Sequence, residues 1–396
     1  MHLFLICDTF FPKQNSGAIQ LKDLADSLVS LNNSLTVFTI GEQDKIEKFN
    51  EFDIVYIKPF FYNSKNYYLR FMSEISYSFY FKKAILNYIK NDKREVGGLI
   101  FYSPTIFFGH LIGSLKKKLR VKSFLILRDI FPEWAVDLGI IKNSISIRIF
   151  KYFSSYQYRQ ADYIGVQAQS NIKSAANWID EQQREKLVTL YNWLTPHKTA
   201  NPSFMFLDNL KVNYKNKKIF IYAGNVGDAQ DLNLFVDAAA KLLYKKDILF
   251  IIIGRGKDFK TIFKRVDRDS INNVIMLDEV DNNKLFEFLP LCYAGIISLN
   301  KNHKLDNIPG KLLSYLSVGI PTLGAVNLNN ELVELNKRFK YGLIYDSGNV
   351  DDIVKGVIKL AEDRKFYLKT KNNSIKFFNT FFTTKEATSK ILDFLN

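Results

Sequence analysis

Asn307-Ile-Pro-Gly-Lys-Leu-Leu-Ser-Tyr-Leu-Ser-Val-Gly-Ile-Pro321 is the stretch on which the reading of this chain turns. Pro309 and Gly310 form a turn pair that pre-sets a helix start, and the apolar spacing predicts one short helix over Lys311–Val318. Gly319 ends that helix, and Pro321 leads into an apolar strand over Thr322–Val326. A loop, a short helix and an immediate return to a strand put the first helical amides and Lys311 at a sheet edge. Free N–H groups and the helix dipole both favour negative charge at such an end. The same spacing also fits an ordinary connection between helix and strand, and the pattern alone leaves both readings open.

On either side of this segment, strand-like and helix-like patterns alternate. Short apolar runs recur at Leu3–Cys7, Leu35–Ile40, Ile54–Ile57, Leu99–Tyr102, Phe124–Leu127, Tyr163–Val166 and Val188–Tyr191. They resume at Ile219–Tyr222, Leu249–Ile253, Val274–Leu277, Gly295–Leu299, Thr322–Val326 and Leu343–Tyr345. Between several runs lie segments of helical period, clearest over Gln20–Leu31, where Leu21, Leu24, Ala25, Leu28 and Leu31 share one face. Such alternation implies parallel strands joined by crossover helices, which is a doubly wound α/β sheet. From Thr195 to Lys217 the rhythm fails among prolines, asparagines and lysines, as in a linker. At 396 residues the chain is too long for one ordinary core, so two α/β domains are expected.

Composition narrows the function classes. A hydrophobic share of 47% rules out a disordered chain. Cys7 and Cys292 lie far apart within predicted strands and read as core residues in a reducing compartment. Four scattered histidines with no metal-ligand spacing predict no metal site. Met1–Asp8 reads as a first buried strand rather than a signal peptide, and no segment reaches the ~18 apolar residues of a spanning helix. A soluble, cytoplasmic protein is expected. The net charge of +15 points to an acidic, phosphate-bearing or membrane partner. A biased genome composition would account for part of it.

Three further loops carry candidate chemistry. Tyr222-Ala-Gly-Asn-Val-Gly-Asp-Ala-Gln-Asp231 follows a strand, and Gly224 and Gly227 let a backbone approach a ligand there. It is neither a Walker loop nor a full dinucleotide fingerprint, and a tight structural turn explains it equally well. Ile253-Gly-Arg-Gly-Lys257 closes another strand, with Gly254 and Arg255 at its end. Arg255 there is either a phosphate partner or a surface residue on a turn. Arg128-Asp-Ile-Phe-Pro-Glu-Trp-Ala-Val-Asp-Leu-Gly139 places Asp129 and Glu133 just past a buried strand. Asp129 could orient or deprotonate an acceptor hydroxyl, whereas Glu133 could equally cap the next helix.

These segments resemble the family-4 retaining glycosyltransferases of GT-B fold. The Asp129-Ile-Phe-Pro-Glu133 stretch looks like the signature of the bacterial O-antigen and colanic-acid members. Ser103-Pro-Thr-Ile-Phe-Phe-Gly-His110, Gly224-Asn-Val-Gly227 and Pro309-Gly-Lys-Leu-Leu-Ser-Tyr315 are similar to the N-acetyl-L-fucosamine transferase group. The resemblance covers most of the chain. It implies two Rossmann-like domains facing a cleft: an acceptor domain over 1–195, a linker over 196–217 and a donor domain over 218–380. A last helix over 381–396 would cross back to the first domain.

The resemblance also implies roles. Ser16, Gly17 and Ser103 fall on the acceptor side. Gly224, Asn225, Gly227, Gln230, Gly254, Arg255, Asp306, Ile308, Pro309, Gly310, Lys311 and Ser314 fall on the donor side. The family's usual Arg and Lys read Asn225 and Gln230 here, and its two helix carboxylates read Asp306 and Ser314. Lys311 and Arg255 would then carry the positive charge for the diphosphate. Glu331 or Glu334 would take the ribose hydroxyls. His110 is either catalytic or a packing residue in an aromatic helix.

The segment Phe60–Arg94 interleaves Tyr67, Tyr68, Phe71, Tyr77, Phe79 and Tyr80 with Arg70, Lys82, Lys83, Lys90 and Arg94. Lys116-Lys-Lys-Leu-Arg120, Arg148, Lys151, Tyr152 and Tyr156 add to it. Aromatics beside cations suit an anionic lipid surface, unless the rings are core and the lysines merely solvated. No nucleic-acid motif is present. The expected activity is metal-independent transfer from a UDP-sugar, without a cofactor, to a polyprenyl-diphosphate-linked acceptor at the inner face of the cytoplasmic membrane. The sugar expected is a deoxy N-acetylhexosamine such as N-acetyl-L-fucosamine. Inverting transfer with Asp129 as base, and a non-catalytic scaffold of the polysaccharide machinery, are the alternatives.

Overall fold

The structure is a computed structural model that describes residues 1–60, 66–137, 139–195, 214, 216–301 and 308–396. Asp306, and nearly all of the expected linker, fall outside the described residues, as do the side chains of Tyr67, Tyr68 and Arg70. The chain divides into two compact units, Met1–Trp193 with Thr384–Asn396, and Leu194–Thr383.

The first unit runs β1 (His2–Ile6), α1 (Ser16–Ser30), β2 (Ser34–Ile40), β3 (Lys45–Phe49), β4 (Phe52–Ile57), α2 (Tyr67–Asn91), β5 (Val96–Ser103) and α3 (Gly109–Leu119). It continues through β6 (Lys122–Leu127), α4 (Glu133–Asp137), α5 (Ser144–Gln160), β7 (Tyr163–Val166), α6 (Gln169–Lys173) and β8 (Leu187–Thr189). Its sheet has the order β3-β4-β2-β1-β5-β6-β7-β8. Every pairing is parallel except β3 against β4. Both sheet faces are covered, so the central strands are apolar throughout. One face packs Leu21, Leu24, Ala25 and Leu28 of α1 on Leu3, Leu5, Val37 and Ile100. The other packs Phe81 and Ile85 of α2 and Leu111 and Ile112 of α3 on Phe4, Phe38 and Phe101.

The second unit runs β9 (Lys218–Ala223), α7 (Asn233–Lys241), β10 (Ile248–Ile253), α8 (Phe259–Arg268), β11 (Val274–Leu277), α9 (Asn282–Phe288) and β12 (Ala294–Ser298). It ends with α10 (Gly310–Ser317), β13 (Thr322–Val326), α11 (Glu331–Phe339), β14 (Gly342–Asp346), α12 (Val350–Glu362) and α13 (Arg364–Phe381). The sheet is parallel, ordered β11-β10-β9-β12-β13-β14. The last helix, α14 (Thr384–Leu395), belongs to the first unit. There Thr388 Oγ1 donates to Ser27 Oγ of α1 at 2.8 Å, and Phe394 meets Phe124 of β6.

Some sequence expectations shift. β3 is an extra antiparallel edge strand, joined to β4 by a turn with Asn50 at φ 51°. Its lysines and Glu47 are what an exposed edge carries, and they hide it from an apolar-run reading. Cys7 lies just past β1 and Cys292 just before β12, so neither is inside a strand, though both are buried and free. No described helix is long and apolar enough to cross a membrane.

In a doubly wound sheet, ligands bind beyond the C-terminal strand ends where strand order reverses. That point lies between β1 and β5 in the first unit and between β9 and β12 in the second.

Candidate active site

In the second unit the loops after β9, β10 and β11 and the helix α10 enclose a cavity of about 440 Å³. The first two loops are zipped together. Gly224 N donates to Ile253 O at 2.9 Å, Val226 N to Arg255 O at 2.9 Å, and Asp258 N to Val226 O at 3.1 Å. A Cβ on Gly254 would stand 1.9 Å from Gly224 O, and one on Gly256 would stand 2.2 Å from Val226 O. Those glycines are therefore required by backbone packing against backbone, and only indirectly by a ligand. Gly224 differs. It is exposed at φ 143°, a conformation that favours glycine, and a Cβ there would touch Lys311 Nζ only at an ordinary 3.4 Å.

Lys311 starts α10 beside Gly310, whose own Cβ would point into open space. Pro309 precedes the helix without a side-chain cap, which leaves the first-turn amides available. The Lys311 ammonium donates to Tyr222 Oη at 2.7 Å and lies 3.9 Å from that ring's centre. As a residue Lys311 is only half-buried, but its ammonium is enclosed, and this desolvation lowers its pKa to about 7. Tyr315 of α10 accepts from Ala223 N at 3.2 Å, fixing the helix to the end of β9.

Of the donor-side residues read from sequence, Gly224, Asn225, Gly254, Arg255, Lys311 and Ser314 line this cavity. Gly227, Gln230, Ile308, Pro309 and Gly310 do not line it, and Asp306 lies outside the described residues. Asn225 Nδ2 donates to Gln230 Oε1 at 2.9 Å, so one hydrogen bond ties the two amides together. Neither Glu331, buried in the first turn of α11, nor the exposed Glu334 lines the cavity. The carboxylate that does is Glu279, whose Oε2 pairs with Arg255 Nε at 2.9 Å. Sequence reading missed Glu279 because nothing in its spacing marks it. The pair is largely exposed and contributes little to stability.

In the first unit the candidate residues gather at the ends of β1, β5 and β6. Asn15 caps α1 by accepting from Ala18 N at 2.9 Å, which places Ser16 and Gly17 in the first turn. A Cβ on Gly17 would stand 2.8 Å from Tyr102 Oη. Ser103 ends β5 with its hydroxyl buried and without a hydrogen-bond partner among the described residues. Asp129 follows β6. It is exposed as a residue, yet burial around its carboxyl raises its pKa against the pull of Arg128. Glu133 opens α4 and lies 3.6 Å from Lys151 Nζ, and burial raises its pKa as well. His110 is exposed on α3 and stacks on Tyr156, with ring centres 4.3 Å apart. Among the described residues no hydrogen bond or ion pair joins it to Asp129 or Glu133.

Sequence reading also missed Arg128. Its guanidinium lies 4.4 Å from the ring centre of Trp193 and donates from Nη1 to Leu190 O at 3.1 Å. Nε and Nη2, one edge of the fork, are buried without a partner among the described residues. Burial lowers its pKa to about 10.

The basic and aromatic face is thinner than its sequence. Phe81 is core, and Phe71 and Tyr77 pack on Phe107 and Phe108. Arg94 is held by Asp92 and Asp53, and Lys116 by Asp162.

Residues 207–377 match the family description "Glycosyl transferases group 1". A Pseudomonas aeruginosa protein named as the glycosyltransferase WbjE is 24% identical over 236 residues, covering 55% of this chain and 54% of its own length. An Escherichia coli K12 protein named as the colanic acid biosynthesis glycosyl transferase WcaI is 24% identical over 279 residues, covering 69% and 66%. The alignment thus spans about half the length of the first relative and two thirds of the second. Among solved structures, Anabaena HepE in complex with UDP superposes with a TM-score of 0.65 at 12% identity, over 99% of each chain. The fold is GT-B, and within it residues 207–377 form a domain similar to the group 1 glycosyl transferases.

Proposed function

We propose that the chain transfers a deoxy N-acetylhexosamine, N-acetyl-L-fucosamine in the first instance, from a UDP-sugar to a polyprenyl-diphosphate-linked acceptor. The setting would be lipopolysaccharide-type polysaccharide synthesis at the cytoplasmic membrane. The observation that carries this reading is Lys311 at the head of α10, facing a cavity at the switch point of the second sheet. A cation and uncapped helix amides stabilise the charge that develops on a departing diphosphate, and no metal is invoked. Support comes from the colanic-acid role in the name of WcaI and from the UDP bound by HepE. A thermal-shift panel of nucleotide sugars tests the donor, because a ligand that binds the folded state raises Tm by mass action. Stabilisation by UDP-sugars alone supports the reading, whereas stabilisation by another nucleotide class alone removes the UDP assignment. Activity unchanged by a chelator is the expected result for a metal-free transfer.

Retention of anomeric configuration belongs to this proposal. One observation favours the inverting alternative, namely the raised pKa of Asp129, which suits a general base. Proton NMR of the product's anomeric linkage separates the two mechanisms.

A further inference from the structure

The stretch from 138 to 161 contains Lys142, Arg148, Lys151 and Arg159 and no acidic residue. Its centre is α5, started by Asn143, whose side chain accepts from Ile145 N at 2.8 Å. The inward face of α5 is firmly held. Gln157 is buried, donates to Thr105 O at 3.0 Å and accepts from Phe108 N at 3.1 Å. A Cβ on Gly109 would stand 3.0 Å from Gln157 Cα, so α3 and α5 touch backbone to backbone. Phe150 and Phe153 turn inward onto Phe71, Phe131 and Phe107.

The outward face is apolar where water would favour polar groups. Ile145, Ile149 and Tyr152 are 69%, 42% and 53% exposed, at the i, i+4, i+7 spacing of one helical stripe. Ile140, 65% exposed, stands just before the helix. Large side chains scattered singly on a surface need no explanation, but a stripe of them bordered by unopposed cations does. Arg148 and Lys142 make no ion pair among the described residues, and Lys151 meets Glu133 only at 3.6 Å.

We propose that the outer face of α5 inserts into an anionic membrane surface, Ile145, Ile149 and Tyr152 entering the acyl boundary while Lys142 and Arg148 hold lipid phosphates. An amphipathic helix lying in the interface has this make-up: an apolar stripe, a cationic border and no acid. The anchored inner face keeps the helix folded without the membrane, so binding orders little new chain. The choice of a membrane over a protein partner rests on charge. Apart from Glu133, which meets Lys151, and Asp137 at the end of α4, the charges beside the stripe are cationic. An excess of cations is complementary to a uniformly anionic surface, and each basic residue near such a surface raises affinity roughly fivefold. This inference deepens the proposed lipid-linked acceptor by naming the surface that brings the enzyme to it, and it narrows the basic and aromatic face read from sequence to its α5 portion.

The test uses the full chain and vesicles without donor or acceptor, so its outcome is independent of transferase activity. Co-sedimentation is measured with vesicles of phosphatidylglycerol and phosphatidylcholine, and with phosphatidylcholine alone, at low and high salt. The exposed double variant Ile145→Glu with Ile149→Glu should lower the partition coefficient at least tenfold while leaving Tm unchanged. Tyr152→Trp should show a blue-shifted emission on anionic vesicles only. An unchanged partition in the double variant, or no spectral shift, overturns the proposal. So does loss of binding on Lys82→Glu with Lys117→Glu while the α5 variants bind normally. Self-association by the stripe without vesicle binding would assign it to a second copy and likewise overturn the membrane reading.

Discussion

The Lys311 ammonium is held against one tyrosine, 2.7 Å from the Tyr222 hydroxyl and 3.9 Å from the centre of its ring. No carboxylate is paired with it among the described residues. A buried cation without a counter-ion is costly to the folded state and is well placed to gain when an anion arrives. Replacing it with alanine should therefore reduce turnover at least tenfold, since a charged contact to a developing anion contributes on the order of 3 kcal/mol. Lys311→Met should do the same while raising Tm at neutral pH, because it removes the desolvation cost. A lowered Tm with unchanged turnover would make Lys311 a structural residue.

The same lysine predicts a pH dependence. Its folded pKa is about 7, below its ordinary value of 10.5. In the free protein it is charged below pH 7 and neutral above, so affinity for UDP should fall as pH rises through 7. Stability moves the other way. Between about pH 7 and 10.5 the unfolded chain binds the proton that the folded chain has released, so this group makes stability rise with pH over that window. Titration calorimetry with UDP at pH 6 and pH 8.5 checks the first effect. Equal affinities in the wild type would show that the ammonium stays charged throughout.

Asn225 and Gln230 sit where the resembled family carries two cations, and here they bond to one another. Restoring Asn225→Arg together with Gln230→Lys should tighten UDP binding about tenfold, by adding charge at the diphosphate end of the cavity. Asn225→Arg alone should do less, since it also strands the Gln230 amide. If the double variant binds UDP no better than the wild type, the diphosphate does not lie over this loop.

Much of this was legible in residues and some was not, for identifiable reasons. Ile248–Ile253 is apolar throughout because both sheet faces are covered, so β10 is plain to see. The edge strand β3 carries Lys45, Glu47 and Lys48, and its pairing depends on a turn rather than on a period. At the site, Gly224, Asn225 and Arg255 are visible because they follow strand ends, and Lys311 and Ser314 because Pro309 and Gly310 mark the start of α10. Glu279 follows a strand of four residues and has no neighbour that marks it. Glu331 and Glu334 are near in sequence to α10, but proximity along the chain does not say which side of a sheet a helix faces. The basic face is overcounted from sequence because Phe71 and Tyr77 pack inward and Arg94 and Lys116 already have partners.

The glycine of the second loop gives a stability prediction independent of function. A Cβ on Gly254 would overlap the Gly224 carbonyl oxygen at 1.9 Å, and neither backbone can yield without breaking the loop pairing. Gly254→Ala should destabilise the second unit by roughly 2–4 kcal/mol, the range of severe overpacking. Gly310→Ala, whose Cβ meets nothing within 4 Å, is the control and should leave Tm within a degree or two. Equal effects of the two would mean the loops are not zipped as described.

Arg128 supplies the remaining prediction. A guanidinium with Nε and Nη2 buried and unpartnered among the described residues is a poor stabiliser of the free protein. Methionine keeps its length and its packing on Trp193 without the charge, so Arg128→Met should leave Tm unchanged or higher. Its effect on Asp129 is electrostatic. Burial raises the Asp129 pKa and Arg128 opposes that rise, so removing the cation should raise it further. If Asp129 must be ionised to orient or deprotonate the acceptor hydroxyl, the acidic limb of the kcat/KM profile should move to higher pH in Arg128→Met. Arg128→Lys should restore part of the wild-type position, because it returns the charge without the fork. A limb that stays in place while the rate falls uniformly would assign Arg128 to substrate binding and remove Asp129 as the titrating group.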